Sequence, residues 1–270
     1  MEKIKEQNYY KHGFEKSVSD THNWRNVDNS VKFIVPYLKQ DFKVLDVGSG
    51  PGTITIDMGK YISKGSVIGV EPIEELIKEA KDNQTKSGVS NVAFQAGSIY
   101  HLPFEDNTFD LVFCHQVLIH LQDPLAGLKE MKRVAKPGGF VCAREGDLLA
   151  SVVYPPHYED TLKQYFMQSV RLLGSNATQG RALKSLAIDA GFHLSSISSG
   201  SSNWCIADDS SRLLWGTSFI NRIQKSSQRV DEDDQKDEKM KKEIILDWKN
   251  FIEDERAWLM FPSGEIVCKK

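Results

Sequence analysis

The chain has 270 residues, 40% hydrophobic and 26% charged, a length between one and two typical domains and a composition that excludes a disordered, collagen-like or coiled-coil protein. Lys plus Arg number 34 against 37 Asp plus Glu, a net charge of -3, so the basic excess that phosphate-backbone binding demands is missing and no nucleic-acid partner is expected. No apolar run is long enough to span a bilayer, and the opening MEKIKEQNYYKH carries charges without an apolar stretch, so neither a membrane association nor a secretory leader is expected and a cytoplasmic location follows.

From Asp41 to Arg144 short β-branched runs alternate with helical patterns, the mark of βαβ units on a parallel sheet. The runs are KVLDV (43–47), SVIGV (66–70), NVAFQ (91–95), FDLVF (109–113) and FVCAR (140–144). Between them Ile73, Leu76, Ile77 and Ala80 keep helical spacing with Pro72 in the first turn, and Asp123 with Pro124 announces a helix that stops at KPGG (136–139). Beyond residue 145, 157–174 and 181–192 read as helices ending at glycines, and SSISSGSS (195–202) suits an edge strand better than a linker. The segment 230–257 places acids before lysines and carries the stripe Ile244, Ile245, Trp248, Phe251 and Ile252, so its charge run is the solvated face of a helix. The closing WLMFPSGEIVCKK has a Pro-Ser-Gly turn between apolar runs, which predicts a hairpin or bulged strand. Cys114, Cys142, Cys205 and Cys268 lack metal or redox spacing and read as reduced, buried thiols; no metal site is expected.

KVLDV runs straight into GSGPG (48–52) and a helical start. Glycines at a strand-to-helix turn let a ligand approach the backbone, and the helix N-terminus behind them presents free N–H groups. Glu71 ends the next strand, 21 residues after Gly50, where a carboxylate can accept from both ribose hydroxyls. Thr53 occupies the third place of a G-x-G-x-x-G pattern, which disfavours a pyrophosphate. Asp46, two residues before Gly48, suits a ligand ammonium or a brace to the loop.

These residues resemble the class I S-adenosylmethionine-dependent methyltransferases, in particular the small-molecule branch similar to the ubiquinone and menaquinone biosynthesis enzymes. The likeness rests on VLDVGSGPGTIT (44–55), VIGVEP (67–72), GSIYHLPFEDNTFDLVFCHQVLIHLQDP (97–124) and LKEMKRVAKPGGF (128–140), in the family's order and spacing. It implies S-adenosylmethionine as cofactor, with Asp46, Gly48 and Gly50 along its methionine part, Glu71 on the ribose, and Pro72, Ser98 and Ile99 at the adenine. Ser98 departs from the family's usual Asp and offers a neutral, weaker acceptor. The implied fold is α/β: a Rossmann-like, seven-stranded, mostly parallel sheet with helices on both faces and added helical lid segments.

Methyl transfer from a sulfonium needs alignment above all, and a base only where the acceptor must lose a proton. Candidate catalytic groups are His115, Glu145 and Asp147, which follow strands at the edge where open α/β sheets bind ligands. Arg25 in THNWRN (21–26) and His115 are further cofactor candidates; His22, Trp24, Gln116, Tyr154 and Trp215 are candidates for the acceptor, and His120 reads as structural. The expected organisation is one methyltransferase domain over 1–270, with a helical lid (1–40), a cofactor-binding core (41–202), a helical insertion over the site (203–257) and a terminal strand (258–270). The expected acceptor is a small molecule and the expected state a monomer or homodimer. A cofactor-binding regulatory module without turnover and a protein methyltransferase stand as alternatives. An NAD-dependent oxidoreductase is opposed by Thr53 and by the lack of a Tyr-x-x-x-Lys pair.

Overall fold

The strands β1 (Lys43–Val47), β2 (Ser66–Glu71), β3 (Val92–Ala96), β4 (Phe109–His115) and β5 (Ala135–Gly146) carry the apolar runs read from the sequence. The computed structural model describes residues 21–163, 176–225 and 233–270. All four neighbouring pairs among these strands are parallel, in the order β3-β2-β1-β4-β5. The chain winds outward from β1 to β3, then returns to β1's other side with β4, so the order reverses between β1 and β4. A crevice at such a reversal, beyond the carboxyl ends of the strands, is where open α/β sheets bind ligands.

Strand alternation splits the core in two. Leu45, Val47, Val112, Cys114, Val141 and Ala143 face one way, against Leu128, Met131 and Val134 of α3 (Pro124–Val134) and Leu183 and Ala187 of α4 (Gln179–Asp189). Val44, Leu111, Phe113 and Cys142 face the other, against α1 (Thr53–Gly59), α2 (Glu74–Ser87) and Val27, Val31 and Ile34 of the N-terminal segment. Each such fully buried side chain contributes about 1.5–3 kcal/mol. Pro72 lies outside α2, which begins at Glu74 and ends on the left-handed Gly88. Asp123 caps α3 by accepting from the Ala126 N–H at 2.9 Å.

Three further strands extend the sheet: β6 (Val152–Tyr154), β7 (Ile197–Ile206) and β8 (Trp258–Lys269), giving eight among the described residues where seven were expected. β8 lies beside β5, with β6 and β7 both paired to β8. The Pro-Ser-Gly triplet, where a hairpin or a bulged strand was expected, lies in the middle of the single strand β8, which is the expected terminal strand. Gly264 is there for a close crossing: a Cβ on it would lie 2.0 Å from the Gly180 carbonyl oxygen. The serine-rich stretch is strand, as expected, and α5 (Asp209–Lys225) lies within the segment 203–257 that was expected to be helical, though its own bounds were not read from the sequence. Residues 159–163 are helical after a 3-10 turn at Pro156–Tyr158; the rest of the helix expected over 157–174 lies outside the described residues, as do residues 1–20 of the expected lid.

The chain divides into two compact units. The sheet unit comprises His22–Glu145, Gln179–Ser202 and Ser263–Lys270; the aromatic unit comprises Gly146–Thr178 and Asn203–Pro262 together with Thr21. In the aromatic unit α5 packs on α6 (Asp234–Glu253), and Trp248 stacks on Phe219 with ring centroids 4.7 Å apart. Gly216 allows the approach, since a Cβ there would meet Ile252 at 2.5 Å. Asp233 caps α6, and Lys241 pairs with Asp237 at 2.8 Å one turn along, so the acid-then-lysine run forms a capped helix with a charged outer face. Among the described residues no helix is long and apolar enough to cross a membrane.

Candidate active site

The loop after β1 is built by three alternating glycines with left-handed backbone, Gly48, Gly50 and Gly52 at φ +75°, +53° and +81°. Only glycine adopts this geometry cheaply, and the three play different parts. A Cβ on Gly48 would strike Val117 at 2.5 Å, and one on Gly52 would strike the Phe94 ring at 2.5 Å, whereas a Cβ on Gly50 would meet nothing within 4 Å. Gly48 and Gly52 therefore let the loop lie against its neighbours, and Gly50 presents bare backbone to open space. Sequence spacing alone had left Gly52 without a role. Its signal was present in the alternation of the glycines.

Glu71 at the carboxyl end of β2 is buried, and its Oε2 accepts the Gly50 N–H at 3.0 Å. The loop is also fastened from below by the Gly48 and Ser49 N–H groups on the Val70 carbonyl. Asp46 reaches α1, where its Oδ2 accepts from the Thr55 hydroxyl at 2.6 Å; burial lifts its pKa to about 7, with that hydrogen bond pulling the other way. The structure thus gives Asp46 a bracing contact beneath the loop, through a threonine that the sequence reading had not singled out. Ser98 follows β3, half-buried; its hydroxyl oxygen accepts the Tyr100 N–H at 3.1 Å, while Ile99 is in the core and Pro72 is exposed beside Glu71. Arg133 of α3 holds the loop downstream of Ser98, donating to the Phe104 carbonyl at 2.8 Å and to Asp106 at 2.7 Å.

The N-terminal segment reaches the same place. The Thr53 hydroxyl, at the first residue of α1, donates to the His22 carbonyl at 3.1 Å, and the Arg25 N–H closes a turn onto that carbonyl. The Val27 N–H donates to Asp57 of α1 at 2.9 Å. Trp24 and Arg25 are half-buried, and the positive charge of Arg25 and the ring of His22 both act on His115. His22, Arg25, Gly50 and His115, far apart in sequence, thus gather at one end of the sheet unit.

At the end of β4, His115 is buried and faces its register partner Arg144 on β5, with Arg144 Nη1 2.8 Å from His115 Nε2. Burial above all, then Arg25, Arg144 and His22, hold its pKa well below the ordinary histidine value. Gln116 adopts φ +59°, uncommon for a side-chain-bearing residue, with its N–H on the Arg144 carbonyl at 2.9 Å. Such a backbone persists only where its surroundings enforce it, and such positions cluster at functional sites.

Glu145, by sequence position a carboxylate base, has another task. Its Oε1 accepts the N–H groups of Val117 and Leu118 at 3.0 and 2.8 Å and its Oε2 that of Ile119 at 3.1 Å, with no exposure to solvent. Burial raises its pKa to about 7 against those three backbone bonds. A carboxylate engaged in this way fixes the turn after β4. Asp147, Tyr154 and Trp215 belong to the aromatic unit. There Asp147 is buried, Tyr154 is 55% exposed, and Trp215 packs within 6 Å of Trp204, Phe219 and Phe261, which makes it a core side chain. Cys205 is exposed, unlike the buried Cys114, Cys142 and Cys268, and among the described residues no group of His, Cys, Asp and Glu is arranged to hold a metal.

Residues 38–191 match a methyltransferase domain family, and the full chain is 44% identical to an uncharacterized methyltransferase of Schizosaccharomyces pombe over 99% of that protein. The chain belongs to the class I S-adenosylmethionine-dependent methyltransferases. It is also 38% identical to a demethylmenaquinone methyltransferase of Staphylococcus aureus, over 40% of this chain and 44% of that one. In fold it matches the YcgJ protein of Bacillus subtilis with a TM-score of 0.56 at 18% identity, covering 88% of this chain and 97% of the other. The site of this methyltransferase fits its cofactor on two counts. Gly50 offers backbone to open space, and Glu71 stands beside it at the strand end.

Proposed function

We propose that this enzyme methylates a small-molecule acceptor by direct in-line displacement, with the cofactor seated against Gly48, Gly50, Glu71, Pro72, Ser98 and Ile99 and the acceptor approached by His22, Trp24 and Gln116. Bound S-adenosylmethionine supplies a methyl group already activated on a sulfonium. What is left to the chain is to orient the acceptor and exclude water, work that can supply on the order of 7–11 kcal/mol. The observation that carries this reading is the tie between the Thr53 hydroxyl and the His22 carbonyl, which draws a second chain segment to the start of the helix that follows the cofactor loop. Arg25 on that segment suits the cofactor's carboxylate, since a guanidinium matches a carboxylate with paired donors. The strained Gln116 suits an acceptor carbonyl or hydroxyl. Likeness to a demethylmenaquinone methyltransferase and a net charge of -3 both agree with an uncharged organic acceptor.

The test uses the full chain and methyl-labelled S-adenosylmethionine with a cell extract split by ultrafiltration. Label is expected in the small-molecule fraction, and Glu71→Gln should weaken cofactor binding in calorimetry about ten- to a hundredfold, the worth of charge-assisted hydrogen bonds of ~1.5–3 kcal/mol. Label confined to protein would instead identify a protein methyltransferase. Tight cofactor binding with no label in either fraction would identify a regulatory module.

A further inference from the structure

Behind His115 lies a buried polar chain that crosses four strands. Arg144 on β5 directs Nη1 to His115 on β4 at 2.8 Å; its Nε donates to the Ser202 hydroxyl on β7 at 2.8 Å and lies 3.4 Å from Glu265 Oε1 on β8. The Ser202 hydroxyl in turn donates to Glu265 Oε1. Arg144 is 1% exposed and Glu265 8%, and Glu265 and the neighbouring Glu145 both stabilise the Arg144 charge. A buried ion pair seldom adds stability over an apolar replacement, which makes it a candidate for a specific task.

We infer that Arg144, anchored by Glu265 and Ser202, is a positioning residue that fixes His115 as a neutral imidazole with its proton on Nδ1, so that His115 serves the methyl-transfer site as a hydrogen-bond donor and not as a base. A guanidinium only donates, so the ring nitrogen 2.8 Å from it must accept; the remaining nitrogen then carries the hydrogen. A cationic ring would set two donors against each other. The groups that face His115 act in the same direction: Arg144 from β5, and Arg25 and His22 from the N-terminal segment, all oppose a second proton. Arg144 itself, lowered by burial to about 10, stays a cation at neutral pH. Donation from Nδ1 suits an acceptor or cofactor oxygen, and this part of the inference rests on the methyl-transfer reading above.

Long-range proton–nitrogen spectra of the full chain labelled with 15N-histidine test the assignment, the His115 signals being those missing from His115→Gln. From about pH 5.5 to 8.5, across the ordinary histidine range, His115 is expected to show the Nδ1–H tautomer throughout. An Nε2–H pattern or a titrating ring in the wild type would overturn the inference whatever the acceptor proves to be. Arg144→Met should give mixed tautomers in a ring that stays neutral, because burial, Arg25 and His22 still oppose a second proton; an unchanged Nδ1–H pattern would overturn the role of Arg144. If that variant does not fold, Ser202→Ala is judged the same way. In turnover, His115→Gln, whose amide still donates, should lose at least about tenfold less kcat than His115→Leu. Equal losses, with a wild-type rate that falls as pH drops through about 6.5, would make His115 a base. Label confined to protein would sink the small-molecule reading and leave the tautomer intact.

Discussion

In the sheet unit, buried polar groups gather where the parallel strands end: Asp46, Glu71, His115, Arg144 and Glu145 all lie on β1, β2, β4 or β5 and are all buried. The aromatic unit buries rings instead, with Trp204, Trp215, Phe219, Trp248, Phe251 and Phe261 in one chain of ring contacts. Its buried cation, Arg212, is taken up by the Ala207 and Ile252 carbonyls and by Asp209. One unit has given up apolar packing at its strand ends to hold polar groups in fixed directions; the other has maximised ring contact. Burial therefore has opposite meanings in the two. In the first it tunes protonation, and in the second it supplies cohesion.

If that contrast is sound, the largest stability loss belongs to the rings. Trp248→Ala should cost about 3–5 kcal/mol in urea unfolding, because Trp248 is fully buried between Phe219 and Phe251. A loss below about 1 kcal/mol would mean that the ring chain is incidental. The glycine loop is next. Gly52→Ala combines a left-handed backbone with a clash against Phe94 and should cost about 2–4 kcal/mol. Gly50→Ala carries only the backbone cost of about 1–2 kcal/mol, yet should weaken S-adenosylmethionine binding more than tenfold by the reasoning above. Calorimetry on Gly50→Ala showing wild-type affinity would remove the open side of Gly50 from the cofactor site.

Protonation gives a finer probe. Glu145 has a folded-state pKa of about 7, raised from an ordinary 4.5, so the native state holds a proton that the unfolded chain has released between those values. Its contribution is complete below about pH 4.5 and is lost as pH rises through 7. The stability of wild type relative to Glu145→Gln should accordingly fall by on the order of 2 kcal/mol from pH 5 to pH 8. Asp46, raised to about 7 as well, is present in both proteins and cancels. A difference that grows with pH would show that the three N–H bonds keep Glu145 ionised. The smallest effect is expected at Ser98, where Ser98→Asp should tighten cofactor binding by about tenfold or less, a charged acceptor being roughly twice as strong as a neutral one. Unchanged or weaker binding in calorimetry would detach Ser98 from the adenine.

The parallel half of this organisation was legible because its signals are local. A β-branched run, glycines at its end and an acid 21 residues on can be read along the chain, and β1, the loop and Glu71 stand where that pattern predicts. Glu145 was misjudged because a carboxylate that caps backbone N–H groups at residues 117–119 looks, in sequence, the same as one that faces a ligand. Arg144, Ser202 and Glu265 gave no signal, since their bonds span 58 and 63 positions. Helix α5 was covered by the helical segment expected over 203–257, but its bounds were not legible because Leu213, Leu214 and Trp215 run consecutively before the helical spacing of Phe219, Ile220 and Ile223 begins. The Pro-Ser-Gly triplet left a hairpin and a bulged strand both open, and the strand is what forms, with Gly264 passing close to Gly180.

The bond between Ser202 and Glu265 has one more consequence. Residues 203–262 leave the sheet unit directly after Ser202 and re-enter at Ser263, so the exit and return of this excursion are stitched side by side on adjacent strands. A segment whose two ends already meet can be lengthened, shortened or exchanged with little disturbance to its host. The glycine loop and Glu71, which lie in the sheet unit, are no part of that excursion and would keep their places through such an exchange.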